Sequence, residues 1–415
     1  MIIIATLVSF FATFGFCIAF NIRGKKIFFA ALGGAISWFF YSLPLQLGAT
    51  EITSLFISSV IFSTYSEVLA RIFKTPVTTF VVCALIPLVP GSGMYYTMRE
   101  AISGNITKSL ELGLNTFASA GTLALGVLFV STLTRLVLSA KRKKEIKKFN
   151  PDIVIGAGGY VTAPVIIAAK KSGYKTLVHE QNSILGLSNK ILLKYTDTLC
   201  TSFETMKVAN VKCVYTGNPA SESIISKKPY DKKEFGLSKS KKLVLIVMGS
   251  LGSSTVNEVL KGTLNKFDKK YEVVIVTGKN YYEEFNKLER GKNVFVFPYI
   301  DDLSRLMKVT DVLVTRAGAT TLSEIMVTKT PSILVPSPYV TENHQFKNAM
   351  YLVDKNAGVL LEEKDLTCES LVNKINELIN DPNKCLDIKD NLENIGKKNS
   401  ATLIYNEIKE LTNDK

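Results

Sequence analysis

Hydrophobic positions along the chain change their spacing near residue 140. Before that point, uncharged runs occupy 1–22, 27–50, 52–66, 75–98 and 112–134. Most reach the ~20 residues that an α-helix needs to cross a hydrocarbon core, and the third does so by continuing through Glu67 to Ala70. The pattern predicts five transmembrane helices. No basic stretch precedes the first run and further spans follow it, so it reads as a span rather than a cleaved signal peptide. From Pro151 onward the apolar runs shorten to 153–155, 176–179, 198–201, 213–215, 243–248, 273–277, 294–297, 312–315 and 333–335. Each is followed by turn residues, and amphipathic stretches lie between most of them. Such alternation predicts parallel sheets with helices on both faces and ligands at the carboxyl ends of the strands. A polar break at 217–240 divides this part into two Rossmann-like lobes, and 369–411 reads as wholly helical. The domains expected are therefore 1–140, 141–222 and 223–415.

Composition fits this mixture. A mean hydropathy of +0.20 over 415 residues, with 50 Lys+Arg and 36 Asp+Glu, excludes a disordered or low-complexity chain. The six cysteines form no C-x-x-C pair and no cluster with histidine, which fits reduced thiols and argues against a structural zinc. Arg23, Lys25 and Lys26 follow the first span, Arg71 and Lys74 the third, and the basic run 141–148 the fifth. The positive-inside rule then predicts a multi-pass plasma-membrane protein with its N-terminus outside and residues 141–415 in the cytoplasm. Residues 1–140 hold eight Lys/Arg against four Asp/Glu, so +4 of the net +14, and the basic excess lies in the second half. An anionic inner leaflet and diphosphate ligands account for that charge better than nucleic acid does.

Candidate chemistry lies in the loops. Gly156-Ala157-Gly158-Gly159-Tyr160 and Met248-Gly249-Ser250-Leu251-Gly252-Ser253 each join a strand to a helix, as an anion cradle requires; the first is equally the form of an ordinary turn. The second is neither a Walker loop nor a full G-x-G-x-x-G. In Arg316-Ala317-Gly318-Ala319-Thr320-Thr321-Leu322-Ser323-Glu324, the last residue is suited to accepting hydrogen bonds from two sugar hydroxyls. Thr321 and Glu324 also have the spacing of a capping box. Both histidines, His179 and His344, stand in polar clusters beyond strand ends, His179-Glu180-Gln181-Asn182 and Asn343-His344-Gln345. In the membrane half, Pro87, Pro90 and Gly91 interrupt the fourth span, and Glu67 sits within the third. Broken helices and intramembrane carboxylates mark transport candidates, although a packing kink has the same sequence.

In this order, the loops from 151–160, 179–182, 216–219, 316–324 and 336–348 resemble those of the undecaprenyldiphospho-muramoylpentapeptide β-N-acetylglucosaminyltransferases, which make lipid II in peptidoglycan synthesis. The resemblance covers residues 141 to 415. It implies a GT-B fold of two Rossmann-like lobes, the donor UDP-N-acetylglucosamine in the second, and a lipid-linked muramoyl-pentapeptide acceptor at the membrane face. It implies no cofactor besides that donor and no metal. Carried over residue by residue, Asn182 lies near the donor sugar, Ser250 at the diphosphate and Ile300 at the uracil. Ala319, Thr320, Thr321, Leu322 and Ser323 hold phosphates and ribose, Glu324 binds the ribose hydroxyls, and Gln345 with His344 touches the sugar.

Two features depart from that family. Its opening Gly-Gly-Thr-x-Gly-His loop and first strands are replaced here by the membrane half, leaving the first lobe incomplete. Its Gly-Asn-Pro-x-Arg reads Gly217-Asn218-Pro219-Ala220-Ser221. A histidine that could act as base is lost with the missing loop, which leaves His179 and Glu180 as fallback bases. Residues 1–140 are similar to the small membrane component of the threonine/serine exporter family, through Lys74-Thr75-Pro76 and 87–96. That second resemblance implies a larger exporter subunit as a partner. The alternatives to an inverting transferase are thus an exporter component carrying a nucleotide-sugar-binding remnant, or a fusion without either activity.

Overall fold

A computed structural model describes residues 2–204, 208–248 and 254–413. The chain forms two compact units, Met1–Arg142 and Lys143–Lys415.

The first unit contains α1 (Ile2–Ala19), α2 (Lys26–Gln46), α3 (Glu51–Ile72), α4 (Thr78–Leu85) and α5 (Gly91–Ile102), and α6 (Ile106–Phe149) begins in it. Four of these helices are long and apolar enough to cross a membrane, and a fifth crossing results if the bent pair Thr78–Leu88 and Gly91–Ile102 counts as one span. The bend is 50°. Pro87 and Pro90 explain it, since neither supplies the amide that would continue the helical ladder. Burial here is inverted relative to a water-soluble bundle. On α1 the buried side chains are Ser9, Thr13 and Cys17, whereas Ile3, Phe11 and Ile18 are exposed. On α3 the buried face includes Ser54, Ser58, Ser59, Ser63 and Ser66. Small polar residues let helices approach closely in lipid, and large apolar ones face the acyl chains. Gly34 has no room for a Cβ against Thr13, and the Ser58 hydroxyl donates to the Ser37 carbonyl at 2.6 Å. At 44 residues and roughly 66 Å, α6 carries both the fifth apolar run and the basic run 141–148 in one uninterrupted helix.

In the second unit, the first lobe comprises β1 (Ile153–Gly156), α7 (Thr162–Lys170), β2 (Lys175–Glu180), α8 (Leu187–Leu192), β3 (Thr198–Thr201), β4 (Lys212–Tyr215) and α9 (Pro219–Ile225). Its four parallel strands run in the order β1-β2-β3-β4, with Val154 opposite Thr176 and Leu177 opposite Thr198. The second lobe continues through β5 (Lys242–Val247), α10 (Ser254–Thr263), β6 (Tyr271–Val276), α11 (Lys279–Lys287), β7 (Val294–Phe297) and α12 (Leu303–Met307). It ends with β8 (Val312–Thr315), α13 (Ala319–Thr328), β9 (Ser332–Leu334), α14 (His344–Val353), β10 (Val359–Leu360), α15 (Cys368–Ile379), α16 (Pro382–Ile395) and α17 (Ser400–Asn413).

All nine strands expected from the apolar runs are present, and β10 is added at the edge of the second sheet. That sheet is parallel throughout, in the order β10-β9-β8-β5-β6-β7. Its central strand is fully buried from Leu243 to Ile246 because both faces carry helices. The chain winds outward from β5 through β6 and β7, then returns to β8 on the other side of β5. This reversal opens a crevice outside the carboxyl ends of β5 and β8, where doubly wound sheets bind ligands.

The polar break contains a helix that periodicity does not reveal. Asn218 caps α9 by accepting from the Ala220 amide at 3.0 Å, and Pro219 fills its first position. The chain end then packs back on the first lobe: Glu222 accepts from the Ala401 amide at 2.6 Å and the Thr402 hydroxyl at 2.9 Å, which caps α17. Gly217, at φ +78°, lies against Ser400 and Lys397, where a Cβ has no room.

Candidate functional site

The crevice predicted by strand order is built from the loop after β8 and the ends of β5, β6 and β7. Helix α13 starts directly behind Gly318, which caps it with extended backbone and no side chain. Its hydrogen-bond ladder begins with the Leu322 amide on the Gly318 carbonyl at 2.9 Å. The amides of Ala319, Thr320 and Thr321 precede that first bond and face outward from the helix end, where the helix dipole favours an anion. The capping box suggested by sequence does not form: with Gly318 as cap, Thr321 is already the third helical residue. Glu324 is therefore released from a capping role, and among the described residues no group donates a hydrogen bond to its carboxylate. Burial raises its pKa above the usual carboxylate range; nearby Lys227 lowers it and Asp302 raises it further.

Two residues of the loop need correction. Leu322 is fully buried in the core of the second lobe, and the buried Ser323 hydroxyl donates to the Ala319 carbonyl at 3.0 Å. Helical periodicity turns both side chains away from the crevice, so only Ala319, Thr320, Thr321 and Glu324 remain to meet a ligand. Beside them lies a cavity of about 510 Å³ whose walls include Val247, Val276, Pro298, Ile300, Leu303 and Thr321, with Lys279 and Asp302 also lining it. An apolar slot leading to a helix N-terminus suits a nucleoside diphosphate. Ser250, expected at the diphosphate, lies outside the described residues.

The buried guanidinium of Arg316 pairs with Glu363 at 2.6 Å and donates to the Val335 carbonyl at 3.1 Å, pinning the start of this loop. Sequence placed Arg316 only within a ligand loop; Glu363, far along the chain, gave no sign of the partnership.

Across the crevice, the structure corrects the two fallback bases. His179 is 6 % exposed and its Nε2 sits 3.0 Å from the Gly217 carbonyl, to which it donates. Burial lowers its pKa, disfavouring the charged ring, against the opposing pull of the Gly217 carbonyl and Glu180. Glu180 is 3 % exposed and accepts from the Asn182 amide at 3.0 Å, the Gly186 amide at 2.9 Å and Asn189 Nδ2 at 2.7 Å. Glu180 is thus taken up in holding its own loop, and His179 in tying the end of β2 to the loop after β4. Asn182 does face the second lobe, since its Oδ1 accepts from Asn348 Nδ2 at 3.1 Å. His344 and Gln345 open α14 after two left-handed residues, Glu342 at φ 55° and Asn343 at φ 51°. The His344 Nδ1 donates to the Thr341 carbonyl at 2.9 Å, and Gln345 Oε1 accepts from the Ser337 amide at 2.9 Å. One turn further on, Asn348 shares their face and donates to the Ala317 carbonyl at 3.3 Å, which brings both residues beside the α13 loop.

In the membrane unit, Pro87 and Pro90 line a cavity of about 400 Å³ together with Glu51, Asn115, Thr116 and Ser119. Gly91 starts α5 at its edge. Glu67 does not line this cavity: its carboxylate is held by Arg71, one helical turn away, at 2.7 Å. The carboxylate at the helix break is that of Glu51.

Comparison with known proteins gives three family matches along the chain. Residues 5–133 match the family model described as Threonine/Serine exporter, ThrE. Residues 112–201 match the glycosyltransferase family 28 N-terminal domain and 243–407 its C-terminal domain. The UDP-N-acetylglucosamine–N-acetylmuramyl-(pentapeptide) pyrophosphoryl-undecaprenol N-acetylglucosamine transferase of Bacillus cytotoxicus is 40 % identical over 291 residues, covering 68 % of this chain and 80 % of that one. A Bacillus cereus enzyme of the same name is 41 % identical over 285 residues, covering 66 % and 78 %. Among solved structures, MurG of Acinetobacter baumannii superposes with a TM-score of 0.58 at 26 % identity, over 67 % of this chain and 79 % of that one. The UDP complex of Staphylococcus aureus MnaA, at 16 % identity and a TM-score of 0.51 over 68 % and 82 %, shares the fold. The second unit thus has the GT-B architecture, and the chain belongs to the UDP-N-acetylglucosamine–N-acetylmuramyl-(pentapeptide) pyrophosphoryl-undecaprenol N-acetylglucosamine transferase family.

Proposed function

We propose that this chain transfers N-acetylglucosamine from UDP-N-acetylglucosamine to the 4-hydroxyl of an undecaprenyl-diphosphate-linked muramoyl-pentapeptide, the step that makes lipid II. The observation that carries the reading is the apolar cavity at Ile300 opening onto Thr321 and the start of α13, whose cap Gly318 has no side chain to cover its amides, at the strand-order reversal of a family 28 donor lobe. The uracil occupies the cavity, Glu324 accepts the ribose hydroxyls, and the amides of Ala319 to Thr321 meet the diphosphate. Ser250 adds a hydroxyl at the diphosphate. Asn182, Gln345 and His344 surround the sugar. Attack by the 4-hydroxyl on C1 breaks the C1–O bond to UDP, releases the hydroxyl proton to solvent, and inverts the α-linked donor to a β(1→4) product. Negative charge then develops on the leaving UDP, and the α13 amides are oriented to stabilise it. The exporter alternative is set aside for the chain as a whole, because that match ends at residue 133.

Donor selectivity tests the site directly. Calorimetry on the solubilised full chain is expected to give binding of UDP-N-acetylglucosamine and UDP, and much weaker binding of GDP-mannose. Equal binding of both nucleotides removes the assignment.

The charge pattern supports a multi-pass arrangement with the N-terminus outside, residues 141–415 cytoplasmic, and the basic end of α6 against anionic lipid. In a cysteine-free background, Ser103→Cys is expected to react with a membrane-impermeant thiol reagent in intact cells, and Lys25→Cys only after permeabilisation. The reverse pattern overturns the orientation.

A further inference from the structure

One buried side chain ties the two lobes of the second unit together. Asn348 on α14 has no exposed surface. Its Nδ2 donates to Asn182 Oδ1 of the first lobe at 3.1 Å and to the Ala317 carbonyl of the second at 3.3 Å. Its Oδ1 accepts from the Ser183 amide of the first lobe at 2.8 Å. These partners fix the amide orientation, because the flipped form would set its oxygen against two acceptors. Each end of the linkage is itself anchored. The segment after β2 hangs on the buried Glu180 carboxylate through the Asn182 and Gly186 amides. Ala317 stands between Arg316, held by Glu363, and the first amides of α13. An exposed ion pair, Lys190 to Glu342 at 3.1 Å, spans the same gap.

We propose that Asn348 is a positioning residue that locks the lobes in the register where Asn182 faces the donor sugar, so that settling of the α13 loop on a diphosphate is transmitted to the first lobe. This rests on the transferase reading of the site. Asn348 acts through Asn182: it carries the Ala317 carbonyl and the Asn182 amide group on a single rigid side chain. Opening the crevice breaks the two hydrogen bonds from Asn348 to the first lobe together, which makes the closed register cooperative.

The test uses the full chain in detergent with three readouts. In Asn348→Ala, UDP affinity is expected to stay within about twofold, because the cavity at Ile300 belongs to one lobe, while kcat falls about 100-fold with misplacement of the sugar-facing group. Hydrogen exchange at the Ser183 and Gly186 amides, protected by UDP in the parent chain, is expected to lose that protection. In an Asn182→Ala background, Asn348→Ala is expected to cost little more. The isosteric Asn348→Asp, which keeps the bond from Ser183 but sets an acceptor against Asn182 and Ala317, is expected to repeat the kcat loss and serves if the alanine variant does not fold. Parallel loss of UDP affinity and kcat, or full additivity with Asn182→Ala, overturns the proposal in favour of a purely structural role. If the parent chain transfers no sugar, the transferase reading fails, and unchanged exchange at Ser183 in both variants separately overturns the linkage.

Discussion

Replacing Glu324 with alanine is expected to weaken binding of UDP-N-acetylglucosamine by about 100-fold, the largest loss from any single crevice side chain. Hydrogen bonds to a charged acceptor are worth about 1.5–3 kcal/mol each, and about 2.7 kcal/mol corresponds to two decades in affinity. Gly318, not Thr321, caps α13, so the substitution removes no helix cap and the helix survives it. Burial raises the pKa of this carboxyl, which gives the loss a pH signature. The ribose hydroxyls need the ionised acceptor. Donor affinity is therefore expected to fall as pH drops through the raised pKa, at a pH above the usual carboxylate range. The nucleotide diphosphate diester does not titrate there, and Glu324→Gln is expected to give a flat profile. For the ligand-free chain the linkage has the opposite sign. A carboxyl whose folded pKa is raised favours the fold when protonated, and that contribution is lost as pH rises. Calorimetric titrations of both chains across the acidic to neutral range check both signs.

Breaking the buried pair behind the same loop is expected to have the largest effect on stability. Arg316→Ala leaves Glu363 as an uncompensated buried charge, and Glu363→Ala does the same to Arg316. Either is expected to cost about 3–5 kcal/mol, whereas Arg316→Met with Glu363→Leu recovers most of it by replacing the pair with apolar volume. Thermal unfolding of the solubilised chain is expected to shift down by about 10 °C for each single variant and by much less for the double. Since Arg316 also holds the Val335 carbonyl, the single variants loosen the turn before Ala319, and UDP affinity is expected to fall in step.

The elements were legible where a run of apolar residues has one physical use. The buried strands of the second sheet, such as Leu243 to Ile246, read directly because parallel strands are covered on both faces. The two-residue β10 carries no period at all. Helix α9 hides in a polar break because the seven residues behind Asn218 have too few turns to display one, although cap and proline are its start signal.

The loops around the crevice were legible in position, but the partners of their side chains were not. Glu180 ends β2 and Glu324 lies within α13, and sequence offers both as candidates, the first as a fallback base and the second as a ribose contact. Structure separates them by partners: Glu180 is saturated by its own loop, whereas among the described residues no group donates to Glu324. Likewise a capping box at Thr321 and a helix started by Gly318 contain the same residues, and only the backbone decides between them. Glu67 and Glu51 repeat the lesson in the membrane unit, where Arg71 claims one and the cavity at the broken helix has the other.

Transfer itself is the most direct measurement. The solubilised full chain is incubated with labelled UDP-N-acetylglucosamine and an undecaprenyl-diphosphate-linked muramoyl-pentapeptide, and the lipid product is resolved. The account predicts a β(1→4)-linked disaccharide lipid, formed by the parent chain and lost in Glu324→Ala; a chain that binds the donor yet leaves this acceptor unglycosylated contradicts it.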